Sequence, residues 1–326
     1  MRPSPPNASE RLSPKAISAT KELASTFHKF GEDIATRMYE LMFSAHPEMR
    51  HLFSLEFMRD GPSKCPILAD SVRSDEDVDS DTSSLRSAPA DSAQRPSLQA
   101  TKLANTIMKF CTSIDSLDQF EGSVDKICKT HVMRGVEAFH YPNLQKALIQ
   151  AIKEVGGPQV ADQNLIAFEK TFGALSEVLI GREIQMRKAL AKIAGGWEGF
   201  RPFTIVDRQD AKEGGGKMYI TIESQDRAPV IKYAQGQDIC VRWDDSERGL
   251  IVKRYRLSPV SKNYDPRCCY SFVVSRSLSK AAVGATDLLL EYGQIGYEIE
   301  VSPPIDLQMR VEISQNWLQR MFAKAA

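Results

Sequence analysis

Two side chains open the chemistry of this 326-residue chain: His131, in the apolar-flanked segment Lys126 to Met133, and Tyr141, on the far side of a short loop. An imidazole on an apolar helical segment can bind a transition metal through one ring nitrogen while a hydrogen bond fixes the other. A tyrosine hydroxyl within reach supplies such a bond, and the pair suits a haem iron held from below with the ring orientation set. A single histidine among apolar residues is more often a satisfied core residue, and four others are present, His28, His46, His51 and His140. The surroundings of His131 therefore have to decide between the two.

Those surroundings are helical. Ser13 followed by Pro14 is an N-cap before a first-position proline, and apolar residues recur at Phe27, Phe30, Ile34, Met38 and Leu41 with helical spacing. Gly31 inside this pattern suggests a junction between two helices. From about 61 to 96 the texture becomes acidic and rich in serine, proline and alanine, with Asp70, Asp75, Glu76, Asp77, Asp79 and Asp81. Such a stretch has too little apolar surface to offset its ordering entropy, which predicts a disordered insertion. A helical face resumes with Leu103, Ile107, Phe110 and Ile114. A helix opens at Pro142, and another near Asp162 runs to the glycines Gly195 and Gly196.

Beyond those glycines the apolar period drops to two. Thr204–Asp207, Met218–Ser224, Asp238–Trp243, Leu250–Leu257 and Cys269–Ser275 are expected strands, with a helix over Lys280–Glu291 and a strand over Ile295–Val301. The fold class expected is an all-α domain over 13–194 followed by a small antiparallel β-barrel over 195–305. Residues 1–12 are expected as a disordered tail and 306–326 as a C-terminal amphipathic helix.

Composition narrows the partners. The 42 Lys and Arg balance 42 Asp and Glu, so the net charge of zero disfavours nucleic acid and anionic membrane surfaces. No apolar run approaches the roughly 18 residues a membrane helix needs, and the first residues lack a signal peptide's apolar centre. A cytoplasmic protein is expected. The six cysteines, Cys65, Cys111, Cys128, Cys240, Cys268 and Cys269, have no CxxC spacing and suit reduced thiols.

The residues around His131 resemble those of the flavohaemoglobins, in which a globin domain precedes an FAD-binding barrel and a nicotinamide-binding domain. Arg37 to Phe43 is similar to the family's B helix, and His46 to Phe53 to the turn bearing its haem-stacking phenylalanine. Gln99 and Leu103 fit the distal helix, Lys129 to His131 the proximal segment, and Gly195 to Gly199 the hinge into the flavin domain. Tyr39, Phe53, Gln99, His131 and Tyr141 keep the family's intervals except across the acidic insertion, so the resemblance covers about residues 12 to 305.

The resemblance implies roles. His131 is the proximal ligand of a haem b iron and Phe53 stacks on the porphyrin. Tyr39 donates its hydroxyl to the diatomic ligand with support from Gln99, while Leu103 limits the pocket. The family's proximal glutamate falls at Gln185 in the segment Gly181 to Gln185, so a neutral amide is expected beside His131 and Tyr141. Glu183 does not stand in for it, because two positions along a helix point about 200° apart.

The flavin motif is worn. Lys253, Arg254, Tyr255 and Arg256 stand for the family's Arg-x-Tyr-Ser; Tyr233 and Gly236 survive from a second motif; Thr286 replaces a serine at a helix N-terminus; and Thr130 replaces a haem-side lysine. FAD binding and a barrel kept as a structural partner both remain open. Few residues follow Pro304 and no GxGxxG follows a strand, so no NAD(P) site is expected.

The function implied is oxygen binding with nitric oxide dioxygenase activity, O₂ and NO being the small ligands and an external reductase the electron source. The alternative is a haem-based gas sensor or oxygen-binding module without turnover, whose insertion carries an acidic phosphorylation-like segment at Ser74 to Asp77.

Overall fold

The computed structural model describes residues 13–52, 98–115, 121–210, 217–234, 236–246, 249–275 and 285–306. Phe53, the acidic insertion, the N-terminal tail and the expected C-terminal helix lie outside the described residues.

Helix α1 (Pro14–Ala45) starts as its sequence dictates: Ser13 Oγ accepts the Ala16 amide at 3.2 Å and Pro14 takes the first turn. Its buried stripe, Leu23, Phe27, Ile34, Met38 and Met42, repeats every three or four residues and forms one wall of the helical core. Each fully buried side chain of this size contributes about 1.5–3 kcal/mol. Gly31 does not divide the helix. A Cβ there would stand 2.9 Å from the Cβ of Ala104, so its missing side chain lets α1 cross close to α2 (Leu98–Thr112).

A 3-10 turn (Pro47–Leu52) leaves α1, and α3 (Glu121–Arg134), α4 (His140–Gly156) and α5 (Asp162–Lys192) complete the helical part. The end of α3 decides where His131 points. Gly135 takes φ +80°, the Val136 amide bonds the His131 carbonyl at 2.9 Å, and the Gly135 amide bonds the Val132 carbonyl at 3.3 Å. This is a Schellman cap, and it places His131 in the final turn, with the chain doubling back into α4.

The remainder is a closed barrel of β1 (Arg201–Asp210), β2 (Lys217–Ser224), β3 (Asp238–Asp245), β4 (Gly249–Ser258), β5 (Cys269–Ser275) and β6 (Glu298–Val301), with α6 (Ala285–Tyr292) before β6. The order is β1-β2-β5-β4-β3-β6, every neighbour antiparallel. Closure gives every strand two neighbours, although β4 meets β5 only through Leu257 and Ser258. Phe203, Ile205, Ile220, Ile222, Val241, Tyr270, Phe272 and Val274 fill the interior at alternate positions. β1 begins earlier than its apolar alternation suggests, because Arg201 and Pro202 pair with Val301 and Glu300.

The two parts meet tightly. Cys240, Val252 and Ile305 of the barrel wall belong to the helical core cluster. The guanidinium of Arg242, on β3, lies 4.2 Å over the ring of Phe200, which itself packs against the helical core. Between them, Gly195 takes φ +77° and a Cβ there would fall 2.5 Å from the Val230 carbonyl carbon. Gly195→Ala should therefore cost about 2–3 kcal/mol through combined strain and backbone clash. Urea unfolding of the full chain checks this, and parental stability would mean that the hinge backbone moves freely away from the barrel.

Candidate functional site

Three helices bring one side chain each to a common point. His131 comes from the last turn of α3, Tyr141 from the first turn of α4, and Glu183 from the middle of α5. His131 Nδ1 lies 3.0 Å from the Tyr141 hydroxyl and 2.8 Å from Glu183 Oε1, and the Tyr141 hydroxyl donates to that same oxygen. Glu183 is 1% exposed. A buried carboxylate accepting two hydrogen bonds fixes Nδ1 as the protonated nitrogen and leaves Nε2 as the ligand nitrogen. Burial, then the Glu183 charge, raises the Tyr141 hydroxyl far above its usual range, so it remains a donor.

This overturns one expectation. Gln185 is exposed on α5 and takes no part in the triad, whereas Glu183 supplies the carboxylate. The geometric premise was sound, since residues two apart cannot share a helix face. The carboxylate that meets His131 and Tyr141 stands two positions before Gln185. Leu179, Arg182, Glu183 and Met186 form the inward stripe of α5, and extending its three-and-four spacing would have chosen Glu183. Alongside, Arg182 clamps Asp125 of α3 through Nε at 2.9 Å and Nη2 at 2.6 Å, fixing the relative setting of α3 and α5.

His131 and Tyr141 line a cavity of about 140 Å³ together with Tyr39, Leu103, Ile107, Phe110, Val124, Leu144, Phe172 and Leu179. Tyr39 is 3% exposed, and its ring stacks on Phe43 at 5.9 Å. The expected residues Tyr39, Leu103, His131 and Tyr141 are thus brought to one space. Gln99 sits on the first turn of α2, its side chain outside the described residues, as is Phe53. An imidazole with its distal nitrogen clamped, an apolar enclosure and a tyrosine on the same cavity are a donor set that fits a haem b held through His131 Nε2.

The barrel residues are placed differently. Tyr233 donates its hydroxyl to the Ser258 carbonyl at 2.5 Å, and Tyr255 is buried with its ring 4.7 Å from that of Phe272. Asp238, 4% exposed, accepts from Arg256 at 3.0 Å and lies 3.7 Å from Arg254. Lys253 faces Val241 across the strand pair. Thr286 lies in the first turn of α6, its side chain outside the described residues. Of the cations on β4, Arg254 and Arg256 are already turned to the Asp238 carboxylate.

The molecule is therefore a helical globin domain joined to an antiparallel barrel of the FAD-binding reductase type. A globin family model matches residues 85–179. The chain is similar to the flavohemoprotein of Bacillus subtilis, 27% identical over 295 residues, covering 90% of this chain and 62% of that protein. It is also similar to the flavohemoprotein of Oceanobacillus iheyensis, 24% identical over 301 residues, at 91% and 64% coverage. The chain thus spans less than two thirds of the length of these relatives. Among solved structures, the flavohemoglobin of Malassezia yamatoensis, which holds FAD and heme, superposes with a TM-score of 0.64 at 15% identity, covering 90% of this chain and 64% of that one. The chain is similar to flavohemoproteins in sequence, and to a flavohemoglobin in fold. No helix among the described residues is long and apolar enough to cross a membrane.

Proposed function

We propose that this chain is a cytoplasmic haem b globin that binds oxygen and converts nitric oxide to nitrate. The observation that carries the reading is the convergence of His131, Tyr141 and Glu183 at a cavity that Tyr39 also lines. Haem b, when bound, supplies an iron centre that takes O₂ and NO and changes oxidation state. The protein supplies the rest. His131 gives Nε2, and Glu183 draws on the Nδ1 proton and makes the imidazole electron-rich. Tyr141 holds the Glu183 carboxylate in place. Tyr39 presents a hydroxyl to a polar diatomic ligand, and the largely apolar lining excludes water, so that this donor acts in a low dielectric. Leu103 bounds the volume.

The barrel is proposed to bind FAD weakly. Lys253 and Arg256 replace the family's arginine and serine, and Asp238 competes for the neighbouring cations that a pyrophosphate would use. Electrons for repeated turnover then come from an external reductase. The second reading, a gas sensor, draws on Cys240, Val252 and Ile305, which tie the barrel wall into the globin core.

The test is an optical spectrum followed by single-turnover chemistry. The purified chain should show a Soret band, and the oxygenated protein mixed with NO should give about one nitrate per haem. His131→Gly should lose the band, and millimolar imidazole should restore it. A first turnover without nitrate would sink the dioxygenase reading, and sustained turnover after adding a reductase would exclude a pure sensor.

A further inference from the structure

Away from the globin site, the barrel gathers a second set of potential ligands. Cys268 and Cys269 are adjacent in sequence, and neighbouring residues of a regular strand point to opposite faces. Here they do not. The Asp265 carbonyl accepts the amides of both Cys268 and Cys269, at 3.2 and 3.1 Å, curling the chain just before β5. The two Sγ atoms consequently fall on the same side, 3.9 Å apart. The pairing of β2 with β5 sets Glu223 opposite Cys269, and Glu223 Oε1 lies 3.7 Å from the Cys268 sulfur. The ligand atoms of all three residues lie within 4.8 Å of one another. The Ser224 amide holds the Cys268 carbonyl at 3.0 Å, so the strand pairing fixes the cluster.

Coordination geometry gives these distances a meaning. A disulfide needs sulfurs about 2.05 Å apart, so the pair is a dithiol. Two thiolates bound to one tetrahedral zinc at about 2.3 Å stand about 3.8 Å apart, and a thiolate and a carboxylate oxygen about 3.6 Å apart. The Cys268–Cys269 and Cys268–Glu223 separations are within a few tenths of an ångström of these values. We propose that Glu223, Cys268 and Cys269 form a binding site for a thiophilic divalent cation of the zinc class, with water as the fourth ligand. Such an ion would staple β2 to the turn that opens β5, on the far side of the sequence from the haem ligands.

The site is both selective and proton-linked. Two sulfurs exclude the hard ions Mg²⁺ and Ca²⁺, which take oxygen ligands. Thiols bind such an ion as thiolates, so binding must displace two protons into solvent. Affinity should therefore fall by up to about a hundredfold for each pH unit below neutrality.

The experiment uses the haem-loaded full chain, in which His131 is already engaged. Zinc is titrated against a chromophoric chelator, and retained metal is counted after desalting. One zinc per chain is expected, with two thiols shielded from a thiol reagent. Glu223→Gln should bind about tenfold more weakly and the Cys268→Ser/Cys269→Ser double variant at least a hundredfold more weakly, while Cys111→Ser, altered in the globin core, should match the parent. Stoichiometric zinc in the double variant, or none in the parent, overturns the proposal. If the double variant does not fold, cadmium–thiolate absorption of the parent decides: two sulfurs per ion support the site, and no thiolate band refutes it.

Discussion

Glu183→Gln should raise the haem midpoint potential by about 60–120 mV, whereas Gln185→Glu, two residues along the same helix, should leave it unchanged. Glu183 accepts from both His131 and Tyr141 in a dry setting, and outer partners of this kind are worth about tenfold to a hundredfold at a metal centre. At about 59 mV per tenfold for one electron, that range gives the expected shift. Its sign follows from charge: the carboxylate favours the more positive ferric state, and a neutral amide removes that preference. Glu183→Leu goes further, leaving the His131 Nδ1–H and the Tyr141 hydroxyl without their shared acceptor. Two orphaned buried donors cost about 2–5 kcal/mol. Gln185 is exposed, so its replacement should stay within about 0.5 kcal/mol. Redox titration and the iron–histidine stretching frequency read the first pair, and denaturant unfolding the third variant. Equal potentials for Glu183→Gln and Gln185→Glu would mean that neither residue acts on the imidazole.

That pair of residues also marks what the sequence made legible. His131 and Tyr141 could be read directly, because they stand on either side of one short turn and their interval survives any change elsewhere. Glu183 approaches from a distant helix, and its register depended on counting along α5 instead of on the inward stripe through Leu179 and Met186. Helices and strands followed from periods of 3.6 and 2, and β5 was placed to the residue. What failed depended on contacts between elements. Gly31 looked like a break but is a crossing point against Ala104, visible only once α2 lies on α1. The meeting of Glu223 with Cys268 and Cys269 had no local signature, because strand pairing rather than spacing creates it.

Acid should weaken this fold through His140 in the window between about pH 6.5 and pH 4. The residue is 5% exposed, and its Nδ1 accepts the Glu137 amide at 2.8 Å. Burial, with the charge of His51 adding to it, lowers the His140 imidazole to about 4. Its unfolded value is about 6.5. The folded-state value lies below the unfolded one, so between the two the unfolded chain holds the extra proton. Stability is therefore full above about pH 6.5 and declines as pH falls through the window. At about 1.36 kcal/mol per pH unit, one such group accounts for up to about 3 kcal/mol. His51 is lowered in the same direction by its burial, with Arg242 adding repulsion and the Glu48 carbonyl opposing it, and Glu48, Glu137 and His131 are the other charges that act on the pair. His140→Gln keeps a polar side chain without a proton to gain, so its stability should be flatter across the window than the parent's. Unfolding midpoints of both proteins from pH 7.5 to 4.5 test this, and parallel curves would refute the assignment. The location gives the effect a functional edge. His140 precedes Tyr141 in the first turn of α4, and protonation would turn its Nδ1 from acceptor to donor against the Glu137 amide. That strain falls on the turn that aims the tyrosine at His131 and Glu183, so the Soret band should shift at a higher pH than the helices unfold.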